Sequence, residues 1–140
     1  MKTLYTTSVT AKGGRDGNVK SENGVLELDV RTPKALGGAN DDFANPEMLF
    51  AAGYSACFGS ALSLVIGKSK IETGETSVTA RVSIGQIENG GFGLAVEMDV
   101  NIPGVSLEEA QSLTDQAHQI CPYSNATRNN IEVKLAVTNN

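Results

Sequence analysis

The chain has 140 residues, 40% hydrophobic and 19% charged, with a net charge of −5 and a pI near 4.8. That length is one domain, 1–140, with a core of ordinary size. With no basic run, the acidic balance excludes a nucleic-acid face and disfavours an anionic membrane surface.

Residues 3–12 are rich in threonine and valine and predict a first strand. Gly13-Gly14-Arg15-Asp16-Gly17-Asn18 follows as a loop with three glycines around one arginine, able to adjust its shape. Residues 19–22 and 25–30 flank Asn23-Gly24, a hairpin signal. A loop over 32–42 leads to Asn45-Pro46-Glu47, which supplies a cap, a first-position proline and an acid for the positive end of a helix. The helix predicted there runs to about Ile66, with Gly67 as its stop. Its many small residues let other backbone approach, so it reads as a central helix covered on most sides. It is long and apolar but carries Ser55, Ser60 and Ser63, and reads as a core helix, not a membrane span. No signal-peptide pattern opens the chain, and the expected compartment is the cytoplasm.

Residues 75–88 and 92–102 alternate as strands around Asn89-Gly90-Gly91. Ser106-Leu107-Glu108-Glu109 is a capping box opening a second helix to about Ile120, which Pro122 ends. Residues 131–138 alternate as a last strand. The order β-β-β-α-β-β-α-β, built from hairpins, predicts an α+β fold with largely antiparallel sheets around a buried central helix.

The chemistry rests on two cysteines. Cys57 lies in an apolar helical stretch; Cys121 stands just past a helix end. In a cytoplasmic chain such a pair suggests transient thiol redox chemistry. A thiol reacts as its thiolate, and apolar surroundings raise its pKa. Cys57 is about three turns into its helix, beyond the reach of the helix dipole. Activation therefore needs a cation from elsewhere. Of four arginines, Arg15 in its glycine loop is the best placed, and Glu47 is its candidate carboxylate partner. Glu47 and Cys57 are ten residues apart, about 15 Å along a helix axis.

Each residue has a plainer reading. Cys57 can be a small buried apolar residue, Arg15 a solvated loop charge and Glu47 a helix-start acid. His118 reads as a solvated histidine, not half of a Cys-His pair. No spacing of ligands supports a metal site, and the loop around Arg15 lacks the lysine and hydroxyl of a phosphate loop.

Two longer motifs decide among these. Asn45-Pro46-Glu47-Met48-Leu49-Phe50-Ala51-Ala52-Gly53-Tyr54-Ser55-Ala56-Cys57-Phe58 and Cys121-Pro122-Tyr123-Ser124-Asn125-Ala126-Thr127-Arg128 resemble the organic hydroperoxide resistance proteins, within the larger family that holds the osmotically induced peroxidases. The loop around Arg15 resembles that family's arginine loop, and the match runs the length of the chain. The resemblance implies a thiol-dependent peroxidase acting on organic hydroperoxides. It implies Cys57 as the peroxidatic cysteine, Cys121 as the resolving one, and Arg15 with Glu47 as the activating pair. It further implies an intertwined homodimer with active sites at the interface. It implies, too, that no cofactor is bound and that a dihydrolipoyl dithiol, often on a lipoylated protein, is the external reductant. Candidate substrate-lining residues are Phe43, Pro46, Leu49, Phe50, Phe58 and Phe92, with ordinary core packing as the alternative for each. The chain departs from the family pattern at Met48 (glutamine expected), Ser55 (alanine) and Asn129 (glycine). Other readings are a related peroxidase with broader substrates and a different reductant, a non-catalytic lipid-binding or thiol-sensing module, and, weakly, a Cys-His acyl transferase.

Overall fold

A computed structural model describes all residues, Met1–Asn140. The chain divides into two compact units, Met1–Leu49 and Phe50–Asn140.

In the first unit, β1 (Val9–Lys12), β2 (Asn18–Ser21) and β3 (Glu27–Asp29) form an antiparallel sheet in that order. Val9 pairs with Ser21 and Asn18 with Asp29. The predicted first strand is shorter than its β-propensity suggests. β2 ends opposite Val9, so residues 3–7 find no partner in the chain, and a strand needs a partner as well as propensity. The hairpin forms at Asn23-Gly24 as expected, with Gly24 at φ +72° and the Asn23 side chain accepting from Ser21 Oγ at 2.7 Å and the Val25 N–H at 3.2 Å. The arginine loop is less free than its glycines suggest. It winds into a short 3-10 turn over Gly14–Asp16. A Cβ on Gly17 would lie 1.7 Å from the Lys12 carbonyl oxygen. Glycine serves there as a close-packing residue.

The helix α1 (Pro46–Ser69) starts as the sequence requires: Asn45 Oδ1 accepts the Met48 N–H at 2.9 Å. It runs past Gly67, and Lys70, at φ +57°, takes the left-handed position that ends it. In the second unit, β4 (Ser77–Gln86) pairs antiparallel with β5 (Phe92–Asn101), and β5 pairs parallel with β6 (Glu132–Thr138). The parallel pair departs from the expected antiparallel pattern. It follows from the crossover through α2 (Leu107–Ile120) and α3 (Pro122–Thr127), because parallel neighbours need a long connection. The short α3 is an element that the sequence reading did not separate from the turn after Cys121.

The period-2 pattern puts Val78, Ala80 and Val82, then Val100, Met98 and Val96, then Val137, Leu135 and Val133 in register across the sheet. They pack with Tyr54, Phe58, Leu62 and Val65 of α1 and Ala110, Leu113 and Ala117 of α2. The opposite sheet face carries Arg81, Glu97, Asp99 and Lys134, with Arg81 paired to Asp99 at 2.7 Å and to Glu97 at 3.6 Å. By length and composition α1 could cross a membrane, but its buried stripe belongs to this core. Within one chain the cover of α1 stops at that stripe; Ala52, Ala56, Ser60, Ser63 and Leu64 are exposed.

The capping box at Ser106 is complete: Ser106 Oγ accepts the Glu109 N–H, and the Glu109 carboxylate accepts the Ser106 N–H at 2.9 Å. Ser106→Ala is expected to lower stability by about 1 kcal/mol in urea denaturation. A change within a few tenths would mean that packing alone holds the start of α2.

Candidate active site

The 3-10 turn carries Arg15, and the first turn of α1 carries Glu47. The two side chains meet as a fork: Arg15 Nη1 donates to Glu47 Oε2 at 2.9 Å, and Nη2 to Oε1 at 2.5 Å. Two charge-assisted bonds in one plane fix geometry as well as charge. Glu47 is only 14% exposed, Arg15 36%. The hydrogen bond from Arg15 holds the Glu47 carboxyl below its ordinary range, against a smaller opposing effect of burial. The loop is braced from β3 onwards. Asp16 accepts from the Thr32 N–H at 3.1 Å and Thr32 Oγ1 at 2.9 Å, and Arg31 Nη1 donates to the Gly17 carbonyl at 2.8 Å.

The two cysteines, 64 positions apart in sequence, come together in the second unit. Both are free thiols, and Cys121 Sγ lies 3.9 Å from Cys57 Sγ. Cys121 is fully buried and is at once the last cap of α2 and the first cap of α3. Pro122 forces this hinge by excluding its predecessor from the α region, and then starts α3. Burial raises the Cys57 pKa. A hydrogen bond from the Tyr123 backbone N–H works the other way, and the neighbouring Cys121 adds a smaller upward push. Beside Cys57 an open cavity of about 410 Å³ is lined by Ser60, Ala61, Leu64, Ile120 and Pro122. Its walls are apolar except for one hydroxyl. A larger concavity of about 750 Å³ lies over the first sheet and is lined by polar residues including Lys12, Lys20, Glu22 and Glu27, without a cysteine.

The aromatic candidates fall in different places. Phe50 packs edge-on against Tyr54 and Tyr123, at 6.1 and 6.2 Å between ring centres. Phe58 is fully buried in the core. Phe43 lies under Arg31, with the guanidinium carbon 4.8 Å from the ring centre. Phe92 is 68% exposed at the start of β5, and neither it nor Phe50 lines the cavity beside Cys57. Pro46 and Leu49 belong to the first turn of α1, Pro46 exposed and Leu49 half-buried.

His118 corrects the sequence reading. It is half-buried, its Nδ1 lies 2.9 Å from Ser124 Oγ, and its ring packs 6.3 Å from that of Phe58. Burial lowers its pKa, and the Arg128 charge lowers it further. Ser124 Oγ also meets Tyr54 Oη at 3.0 Å, and Tyr54 Oη meets Thr127 Oγ1 at 3.2 Å. No spacing rule announces this group. Its signal is only that Ser124 and Thr127 fall on one face of α3, three residues apart.

Glu47 yields a pH prediction. Its pKa is lowered on folding, so the stabilisation is present above the ordinary value of 4.5 and is lost as pH falls through the lower folded value. The stability gap between the wild type and Glu47→Gln, measured by denaturation from pH 7 to pH 3, is expected to shrink at the acid end. A gap constant across that range would show that the ion pair contributes nothing.

Residues 38–136 match the family of OsmC-like proteins. The organic hydroperoxide resistance protein of Xanthomonas axonopodis pv. citri is 50% identical, over 97% of this chain and 96% of that one. A crystal structure of an organic hydroperoxide resistance protein from Elizabethkingia anophelis is 75% identical and superposes with a TM-score of 0.97, covering all of both chains. One from Legionella pneumophila is 46% identical, with a TM-score of 0.94 over 98% of this chain and 99% of that one. With sequence and fold agreeing over the full length, the chain belongs to the OsmC-like family, among its organic hydroperoxide resistance proteins.

Proposed function

We propose that the chain is a thiol-dependent peroxidase that reduces organic hydroperoxides, fatty-acid hydroperoxides included, to alcohols. Membership of an organic hydroperoxide resistance family supports peroxide defence. The observation that carries the finer reading is the pair of free sulfurs at 3.9 Å beside an apolar cavity.

The Cys57 thiolate attacks the distal oxygen of ROOH. The O–O bond breaks, a proton completes the alcohol ROH, and Cys57 is oxidised to the sulfenic acid. Cys121 then attacks the Cys57 sulfur, the S–O bond breaks, and water leaves as the disulfide forms. Closure takes the sulfurs from 3.9 Å to about 2.05 Å, a shift that side-chain rotation and a small hinge movement can supply. A dihydrolipoyl dithiol, free or on a lipoylated protein, reduces the disulfide by thiol exchange and leaves as the cyclic lipoyl disulfide.

Burial alone makes Cys57 a poor thiolate, so the reaction needs a cation. Arg15, held by Glu47, is that cation in this reading, stabilising the thiolate and polarising the peroxide. The exposed small-residue side of α1 supports a homodimer in which a second copy covers it. The substrate is held by apolar contact: Ala61, Leu64, Ile120 and Pro122 favour an alkyl or acyl chain over the small, fully solvated hydrogen peroxide. Phe43, Pro46, Leu49, Phe50 and Phe92 remain candidates for further contacts with that chain.

Stopped-flow kinetics of purified variants test the roles. Cys57→Ser is expected to abolish peroxide consumption. Cys121→Ser should consume about one equivalent and then accumulate sulfinic acid. Arg15→Ala should move the pH–rate profile upward by about one unit, slowing the reaction near pH 7 by about tenfold. An unchanged profile would remove Arg15 from the mechanism, and full turnover by Cys57→Ser would remove the mechanism itself.

A further inference from the structure

The motif after Cys121 contains more polarity than a redox cysteine needs. Tyr54, Ser124 and Thr127 are all buried and yet hydroxylated, and every one of their oxygens is partnered. The partners are one another, His118 and, for Thr127 Oγ1, the Ser124 carbonyl at 3.2 Å. Tyr54 Oη meets Ser124 Oγ at 3.0 Å and Thr127 Oγ1 at 3.2 Å; Ser124 Oγ meets His118 Nδ1 at 2.9 Å. The chain of bonds therefore ties α1 (Tyr54) to α3 (Ser124, Thr127) and to the last turn of α2 (His118). Arg128, just past α3, closes a second link by donating from Nη2 to the His118 carbonyl at 2.7 Å. Packing reinforces the tie. The Tyr123 ring lies against Phe50 and Tyr54, and a Cβ on Gly53 would come within 2.8 Å of Tyr123 Oη, so a larger residue there would shift the ring.

All of these links converge on one joint. Cys121 and Pro122 are the hinge between α2 and α3, held by nothing covalent beyond the backbone. The position of α3 sets both where the Cys121 sulfur stands and where the Tyr123 N–H points. Buried, fully satisfied polar networks fix one arrangement more sharply than apolar packing does.

We infer that Tyr54, Ser124 and His118 form a hydrogen-bonded clamp that positions the resolving cysteine, holding α3 against α1 so that Cys121 is poised to close onto oxidised Cys57. This rests on the reading of Cys57 and Cys121 as a peroxidatic and resolving pair. The three residues are positioning residues: none of their bonds reaches a sulfur. Their effect falls on the second chemical step, in which the Cys121 thiol displaces hydroxide from the Cys57 sulfenic acid and water is released. Attack of Cys57 on peroxide feels the clamp only through the Tyr123 N–H, a smaller influence on that thiol than burial.

The test uses the full-length reduced protein and two variants. Tyr54→Phe removes one oxygen and keeps the ring that Phe50 and Tyr123 pack against; Ser124→Ala removes the central hydroxyl. Rapid mixing with cumene hydroperoxide, acid quenching and intact mass separate sulfenic acid, disulfide and sulfinic acid. Equilibration with dithiothreitol buffers gives the stability of the disulfide. The expected result is sulfenic acid formation within about twofold of wild type, closure slowed by about tenfold, and sulfinic acid at peroxide ratios where the wild type gives only disulfide. The closure equilibrium should fall by about tenfold, raising the reduction potential by about 30 mV. Wild-type closure rate and potential in both variants would overturn the clamp. So would equal losses in both chemical steps, which would signify general damage. A wild type that forms no disulfide would overturn the peroxidase reading, and the clamp with it.

Discussion

The site depends on keeping two sulfurs close without joining them. At 3.9 Å, Cys121 Sγ and Cys57 Sγ are in contact, yet both remain thiols. Chain entropy works against such proximity: the cysteines are separated by two strands and most of two helices. The cost is met by the core. Tyr54 and Phe58, on either side of Cys57 in sequence, are fully buried, as is Ala117 one turn before Cys121. Moving either cysteine would mean moving a helix that the sheet holds by a continuous apolar layer. On the proposed mechanism, the reduced protein thus holds its sulfurs close to where the disulfide would form.

Proximity by itself does not make a reactive thiol. Cys57 is placed in surroundings that favour the neutral form, and the Tyr123 N–H is the only nearby group that eases its ionisation. This is a sensible resting state for a thiol that must survive in a cell, since an unactivated cysteine resists adventitious oxidation. It also divides the labour. In the proposed mechanism the apolar cavity would select the substrate, while a separate charged pair, the Arg15–Glu47 fork, is already assembled through two hydrogen bonds. Its carboxylate, held well ionised, keeps the guanidinium in one orientation.

Much of this was legible in the sequence because local chemistry and global pattern agreed. Asn45-Pro46-Glu47 and Ser106 through Glu109 announced their helices through capping atoms that the structure uses. Asn129, where glycine was expected, sits at φ +63°, a conformation that asparagine tolerates better than other side chains do. Other features escaped for physical reasons. The truncated first strand depends on where its partner ends, and the parallel β5–β6 pair on how the crossover folds back; neither is a local property. Lys70, not Gly67, terminates α1, and Ile71 just beyond it packs against the core. His118 looked solvated because its partner, the Ser124 hydroxyl, belongs to the next helix and is itself held by Tyr54, 70 positions from Ser124 in sequence.

The central claim is that one peroxide molecule converts the adjacent thiols to a disulfide, and that an organic peroxide does so far faster. The most direct measurement is the intact mass and free-thiol content of reduced protein after one equivalent of cumene hydroperoxide, with hydrogen peroxide in parallel. The account predicts rapid loss of two hydrogens and of both thiols with the organic peroxide, and a much slower change with hydrogen peroxide. Unchanged mass, or oxygen added to methionines while both thiols persist, would contradict it and leave Cys57 and Cys121 as structural residues of a binding or sensing protein.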